Sequence, residues 1–281
     1  MNSPPEQRGG RKETKVVGND VLMFWVALVA YLGASVLYVL QIAVSRKWFG
    51  TAAFVTLLVG FVSHSAAIVS RFVATGHPPF TGMYEYASCL AWAIVLFYLI
   101  LQARQKAQNL GVFVSPLAFA VIVVASLFPK EMERQLVPAL QSYWLQIHVT
   151  MAVLGEGAFA VAFATSIMYL VKERGVKPLP SLETLDDLTY RAIVIGYPLF
   201  TIGALFAGAI WAWKAWGSPW GWDPKEVGSL VIWLIYSAYL HARVTAGWRG
   251  RRAAVLSIIG FSATIFTFIS NLFIGGLHSY A

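Results

Sequence analysis

The chain has 281 residues, of which 58% are hydrophobic and only 12% charged, with a mean hydropathy of +0.65; this balance excludes a water-soluble domain and makes membrane lipid the expected surroundings. The net charge of +8 would suggest nucleic acid for a soluble protein, but here it reports membrane topology, and no nucleic-acid partner is expected. With a single cysteine, Cys89, neither an intrachain disulfide nor a CxxC redox pair can form.

Residues 1–20, MNSPPEQRGGRKETKVVGND, form a polar tail of mixed charge that composition predicts to be disordered. Residues 21–281 read as one integral membrane domain. Eight apolar segments follow one another at about 21–45, 51–70, 84–103, 111–128, 143–171, 190–213, 226–244 and 253–276. Each is near the roughly 20 residues with which a helix crosses about 30 Å of hydrocarbon. The first segment is too long for a signal-peptide core and has no small-residue cleavage site after it, so it is expected to be retained. No alternating ten-residue strand pattern occurs. The predicted fold class is therefore all-α, a polytopic membrane helical bundle of about eight transmembrane helices.

Within the segments, Cys89 reads as a small core residue, and Glu85 falls at the start of the third helix, where the helix dipole favours a carboxylate. Glu156 is central in the fifth; a hydrogen bond inside the bundle is expected, and no chemical role. Gly155, Gly157, Gly203 and Gly208 are expected to let helices approach closely. Lys and Arg gather after the first, third, fifth and seventh segments (Arg46, Lys47, Arg104, Lys106, Lys172, Arg174, Arg249, Arg251) and are sparser in the other loops. The positive-inside rule then puts those loops in the cytoplasm and both termini outside, although Arg8, Arg11, Lys12 and Lys15 in the tail oppose this orientation.

The stretch 211–225, WAWKAWGSPWGWDPK, collects Trp211, Trp213, Trp216, Trp220 and Trp222 among Gly217, Pro219 and Gly221. Such a concentration of indoles in a broken segment suits the walls of a flat, apolar ligand. An interfacial aromatic belt is the alternative, but a belt spreads its Trp and Tyr over many helix ends. Asp223 and Lys225 are expected to cap the next helix, since Asp-Pro just ahead of an apolar run is a good helix start. The expected topology puts His148, just inside the fifth helix, and His278, just after the eighth, on the same side as this loop. Two imidazoles with indoles around them suit haem, whose iron imidazole ligates well. His241 lies near the opposite end of the seventh helix and cannot join that pair; a second haem there would need another ligand. An interfacial histidine beside Arg243 is the plain alternative. His64 falls within the second helix and His77 in an outer loop.

At this point the sequence resembles the CcsA family of cytochrome c-type biogenesis proteins, also called ResC, of the system II haem-attachment machinery. WGSPWGWDPKEVGSL at 216–230 is similar to the family's WWD signature. LQSYWLQIHV around His148 and GGLHSY around His278 match its two external haem-ligand histidines, and YLHAR around His241 matches its intramembrane histidine. PPFTGMYEYASCLAW at 78–92 resembles the family's Pro-rich segment with a Tyr-Glu pair. The resemblance covers the chain from about residue 50 onward.

It implies that haem b is received from the cytoplasmic side, presented outside and joined to the CxxCH of an apocytochrome c. The chain would then be a component of a holocytochrome c synthase. It implies His148 and His278 as axial ligands of an outer site, walled by Trp211, Trp213, Trp216, Trp220, Trp222 and Asp223. It also implies His241 as one ligand of an inner site, its second ligand coming from a ResB/CcsB-type membrane partner. A separate thiol-reducing protein is expected, because this chain has no thiol pair. The expected location is the bacterial cytoplasmic membrane or the thylakoid membrane, with the Trp-rich loop and C-terminus on the extracytoplasmic side. The rivals are a CcmC-type protein that handles haem without attaching it, a bis-histidine membrane cytochrome b, and a haem-free transporter or scaffold.

Overall fold

The computed structural model describes residues 6–105, 108–132, 135–177, 179–274 and 276, and among these there is helix and loop but no strand. In chain order the helices are α1 (Glu6–Val44), α2 (Lys47–Thr75), α3 (Met83–Gln105), α4 (Gly111–Ser126), α5 (Tyr143–Glu173), α6 (Leu182–Phe200), α7 (Gly208–Trp216), α8 (Pro224–Thr245) and α9 (Arg251–Phe273). A π-helical stretch, Thr201–Ala207, joins α6 to α7, so that Leu182–Trp216 is one continuous span.

Among the described residues, 7 spans are long and apolar enough to cross a membrane. The remaining expected segment is α4, with 16 residues. At 1.5 Å per residue it reaches about 24 Å, short of about 30 Å of hydrocarbon, and it packs against α1, α3 and α5. Two boundaries differ from expectation. Helix α1 begins at Glu6, inside the tail expected to be disordered; extending a helix already nucleated by its apolar part requires only one residue to be fixed per added bond. Helix α6 begins at Leu182, not near 190, because Ser181 caps it by accepting from the Thr184 N–H at 3.1 Å. Its first turns, LETLDDLT, carry too many polar residues to read as membrane span.

Polar clusters at the helix ends show how the bundle alternates. At one end Arg71, late in α2, donates to Glu85 at the start of α3 (2.5 Å) and to Asp20 in α1 (3.2 Å). It also reaches the carbonyls of Lys130 and Glu131 beyond α4, at 3.0 and 2.6 Å. A buried guanidinium is tolerable here because each side of its fork meets an acceptor. At the other end Arg243 of α8 pairs with Asp186 of α6 at 2.7 Å, and Asp186 also accepts from the Gly250 N–H.

The central pole is α5. Of its most apolar window 78% is buried in the bundle, against 17% for α8. Small residues make this possible. A methyl on Gly157 would stand 2.7 Å from Ala93 Cβ of α3, and one on Gly155 would stand 2.8 Å from the Phe200 backbone of α6. The close approaches expected of these glycines are present.

Candidate functional site

His148 projects from the second turn of α5, at the end of the bundle where Arg71 sits. Its Nδ1 donates to the Gly203 carbonyl at 2.9 Å, an oxygen that also accepts from the Gly208 N–H as the π-helix closes. The π-helical register brings this carbonyl to the imidazole. Glycine on both sides lets the contact close. A methyl on Gly203 would meet the Ala152 backbone nitrogen at 2.5 Å, and one on Gly208 would meet His148 Nδ1 at 3.0 Å. The proton held on Nδ1 leaves the lone pair on Nε2, the arrangement found in ligating histidines whose other nitrogen is tied to a carbonyl.

Behind the imidazole lies Trp211, stacked at 5.8 Å with an interplanar angle of 9°. Its Nε1 donates to the Ala139 carbonyl at 2.8 Å, and only 1% of its surface is exposed. Trp211 therefore buttresses His148 and reaches a ligand only through that ring. Trp216 meets Trp211 edge-on at 5.3 Å. Trp213 is turned about 200° around the helix from Trp211 and is 61% exposed. Three of the five indoles are thus on α7, and only Trp220 and Trp222 belong to the loop, which corrects the expectation of a single broken stretch. A helix of this length suits indoles that face different ways, and it ends only at Gly217, whose φ of +79° makes the left-handed cap.

The loop from Gly217 to Asp223 is held by the start of α8. Asp223 is the N-cap, accepting from the Lys225 N–H at 2.9 Å, and Glu226 completes a capping box. Glu226 Oε2 accepts from the N–H groups of Gly221 at 2.7 Å and Asp223 at 3.2 Å. Between those two anchors Trp222 adopts φ +57°, a left-handed conformation uncommon for a bulky residue, and is 72% exposed. Trp220 meets it edge-on at 5.7 Å.

His148, Ala152 and Glu156 succeed one another at four-residue steps on one face of α5 and line a partly open pocket. Its other walls include Tyr86 from α3, Ala204 and Leu205 from the π-helix, Gly208 and Ala212 from α7, Pro219 and Trp220 from the loop, and Lys225 and Glu226 from α8. Glu156 accepts a hydrogen bond from the Tyr86 hydroxyl, as expected of a carboxylate inside the bundle. Its place in the same pocket as His148 was not evident from sequence. Tyr86, Lys225 and Glu226 join it there because three distant helix starts converge.

The remaining histidines separate. His64 is fully buried, with the Tyr31 hydroxyl at 3.2 Å from Nδ1 and the Ser88 hydroxyl at 2.8 Å from Nε2. His77 donates from Nδ1 to the Pro78 carbonyl at 3.0 Å. His241 is on the exposed side of α8 near its far end, about 27 Å of helix rise from Asp223, so it does not meet His148. His278 lies outside the described residues. Gly276, two residues before it, packs against the α8 cap: a methyl there would come within 3.1 Å of Pro224 Cδ.

A bundle that is helical among the described residues, with seven apolar spans and an imidazole, an indole and buried charges in a pocket at one end, is an integral membrane protein with a candidate ligand site near one boundary. A family model described as cytochrome C assembly protein matches residues 81–278. The chain is 36% identical to the cytochrome c biogenesis protein CcsA of Porphyra purpurea, over 82% of this chain and 86% of that protein. It is 32% identical to the CcsA of Gloeobacter violaceus, over 95% of this chain and 97% of the relative. The chain belongs to the CcsA family of cytochrome c biogenesis proteins. Its fold is also that of a solved cytochrome c heme lyase, CcmF, with a TM-score of 0.74 at 18% identity, covering 90% of this chain and 46% of that one.

Proposed function

We propose that the pocket at His148 binds haem b and presents it for covalent attachment to the CxxCH of an apocytochrome c. The observation that carries this reading is the fixed imidazole: Nδ1 tied to Gly203, one face backed by Trp211, and the ring at the wall of a partly open pocket. Haem is the substrate that is held and handed on, and the chain contributes position. Two thiols of the apocytochrome add across the haem vinyl groups; each step forms one S–C bond, and the thiol hydrogen moves to the other vinyl carbon. Holding the vinyl edge toward incoming thiols lowers the barrier by restricting orientation.

In this reading His278 would be the second histidine to hold the haem iron. Gly276, two residues before it in the chain, packs against the α8 cap. Trp220 and Trp222 supply the exposed aromatic wall. Trp213, on the outer side of α7, contributes to that wall only at its edge. His241, at the other end of α8, is one ligand of an inner site on the haem entry side, its opposite ligand supplied by a ResB/CcsB-type membrane partner. A separate thiol-reducing protein keeps the apocytochrome ready. The pocket faces the extracytoplasmic side, an orientation supported by the basic residues at the opposite end of the bundle.

The test is a haem-stained gel of a reporter cytochrome c expressed with the intact system. His148→Ala is expected to abolish attachment while haem bound elsewhere in the protein remains detectable by its reduced spectrum. Normal maturation of the reporter by His148→Ala would remove the ligand assignment. Haem release to another acceptor without attachment in the wild type would favour the CcmC-type reading.

A further inference from the structure

We infer that the Lys225 ammonium is the anchor for a carboxylate of the bound ligand, which for haem is one of its propionates. This rests on the reading that the pocket takes haem.

Lys225 is the second residue of α8 and the only ammonium or guanidinium among the described residues that line the pocket. A cation at the start of a helix stands at the unfavourable end of the dipole, so helix stability does not account for it. Its Nζ lies 5.0 Å from the centroid of the Tyr86 ring. Among the described residues no carboxylate forms an ion pair with it. Three carboxylates are nearby and each already accepts from another donor; Asp223 takes the Lys225 N–H at 2.9 Å. Glu226 accepts from two loop N–H groups, and Glu156 accepts from the Tyr86 hydroxyl. Among the described residues the ammonium is therefore the one cationic group in a corner whose carboxylates each already accept from another donor.

The geometry also suits the ligand. Glu156, which shares this corner, is two helical turns along α5 from His148, about 12 Å of rise. Ala152 between them leaves a flat wall. A planar molecule ligated through a central metal at His148, with carboxylates on its edge, lies along that wall and brings a carboxylate to Lys225. That carboxylate gives the ammonium the direct ion pair that the described residues do not make with it.

The full chain in detergent is titrated with ferric protoporphyrin IX, which has two carboxylates, and with its dimethyl ester, which has none, following Soret absorbance. The wild type is expected to prefer the diacid by about tenfold. Lys225→Gln is expected to weaken the diacid and leave the diester unchanged, so that the preference disappears, and Lys225→Arg to retain it. Equal affinity of the wild type for both porphyrins overturns the assignment. So does equal weakening of both by Lys225→Gln, the signature of a merely structural lysine. In either case haem binding itself stands, whereas failure of both porphyrins to bind the wild type overturns the haem reading together with this one.

Discussion

At the scale of single residues, the candidate site depends as much on what is missing from Gly203 and Gly208 as on the imidazole between them. The two glycines fail differently when substituted. A methyl on Gly203 would stand 2.5 Å from the Ala152 nitrogen and 2.7 Å from Met151 Cβ, atoms of α5 that move only with the helix. Gly203→Ala is therefore expected to separate the π-helix from α5, lowering stability by about 1–3 kcal/mol as overpacked sites do. The separation also withdraws the carbonyl from His148. A methyl on Gly208 meets the His148 ring at 3.0 and 3.1 Å, and a ring can rotate. Gly208→Ala should leave the thermal midpoint in detergent closer to wild type while still disturbing His148. Equal midpoints for Gly203→Ala and wild type would show that the close approach is not needed.

At the scale of elements, the start of α8 sets the shape of the aromatic loop. Glu226 holds Gly221 and Asp223 and so encloses Trp222 in its left-handed conformation. Removing this carboxylate by Glu226→Ala is expected to cost about 0.5–2 kcal/mol, as lost helix caps do. It should also accelerate amide hydrogen exchange at Gly221 and Asp223, measured by mass spectrometry of loop peptides, with Glu226→Gln close to wild type because its amide oxygen still accepts. Unchanged exchange in Glu226→Ala would mean that the loop is held by something else. The cap at Asp223-Pro224 was legible in the sequence because capping is local: an acidic residue, a proline and an apolar run suffice. The spans were legible because hydrocarbon thickness dictates their length. The start of α6 was not, since LETLDDLT is helical through Ser181 and not through apolarity. Nor was the placement of Trp211, Trp213 and Trp216 on α7, because the glycines and proline that suggested a loop all come after Trp216. The π-helix reads as an ordinary apolar run, TIGALFA. The meeting of His148 with Glu156, Tyr86 and Lys225 needs the packing of α3, α5 and α8, which no local pattern carries.

At the scale of the whole molecule, the two ends of the bundle are chemically unlike. One end carries the pocket, the exposed Trp222 and the buried Arg71 cluster. The other carries His241 and the exposed basic turn around Arg249. Putting the pocket outside satisfies the positive-inside rule for the loops after α1, α3 and α5 and for the turn between α8 and α9, against the four basic residues of the N-terminal tail. The chain is convenient for deciding between them, because its single cysteine, Cys89, is only 7% exposed and should stay unlabelled in the folded protein. Ser218→Cys lies in the exposed aromatic loop and Arg249→Cys in the exposed turn at the other end. A membrane-impermeant maleimide applied to intact spheroplasts is expected to label the Ser218→Cys protein and to reach the Arg249→Cys protein only after the membrane is permeabilised. The reverse pattern would turn the pocket inward, where it could receive haem but could not meet an extracytoplasmic apocytochrome. The fold and its ligand pocket would survive that result, but the direction of delivery would not.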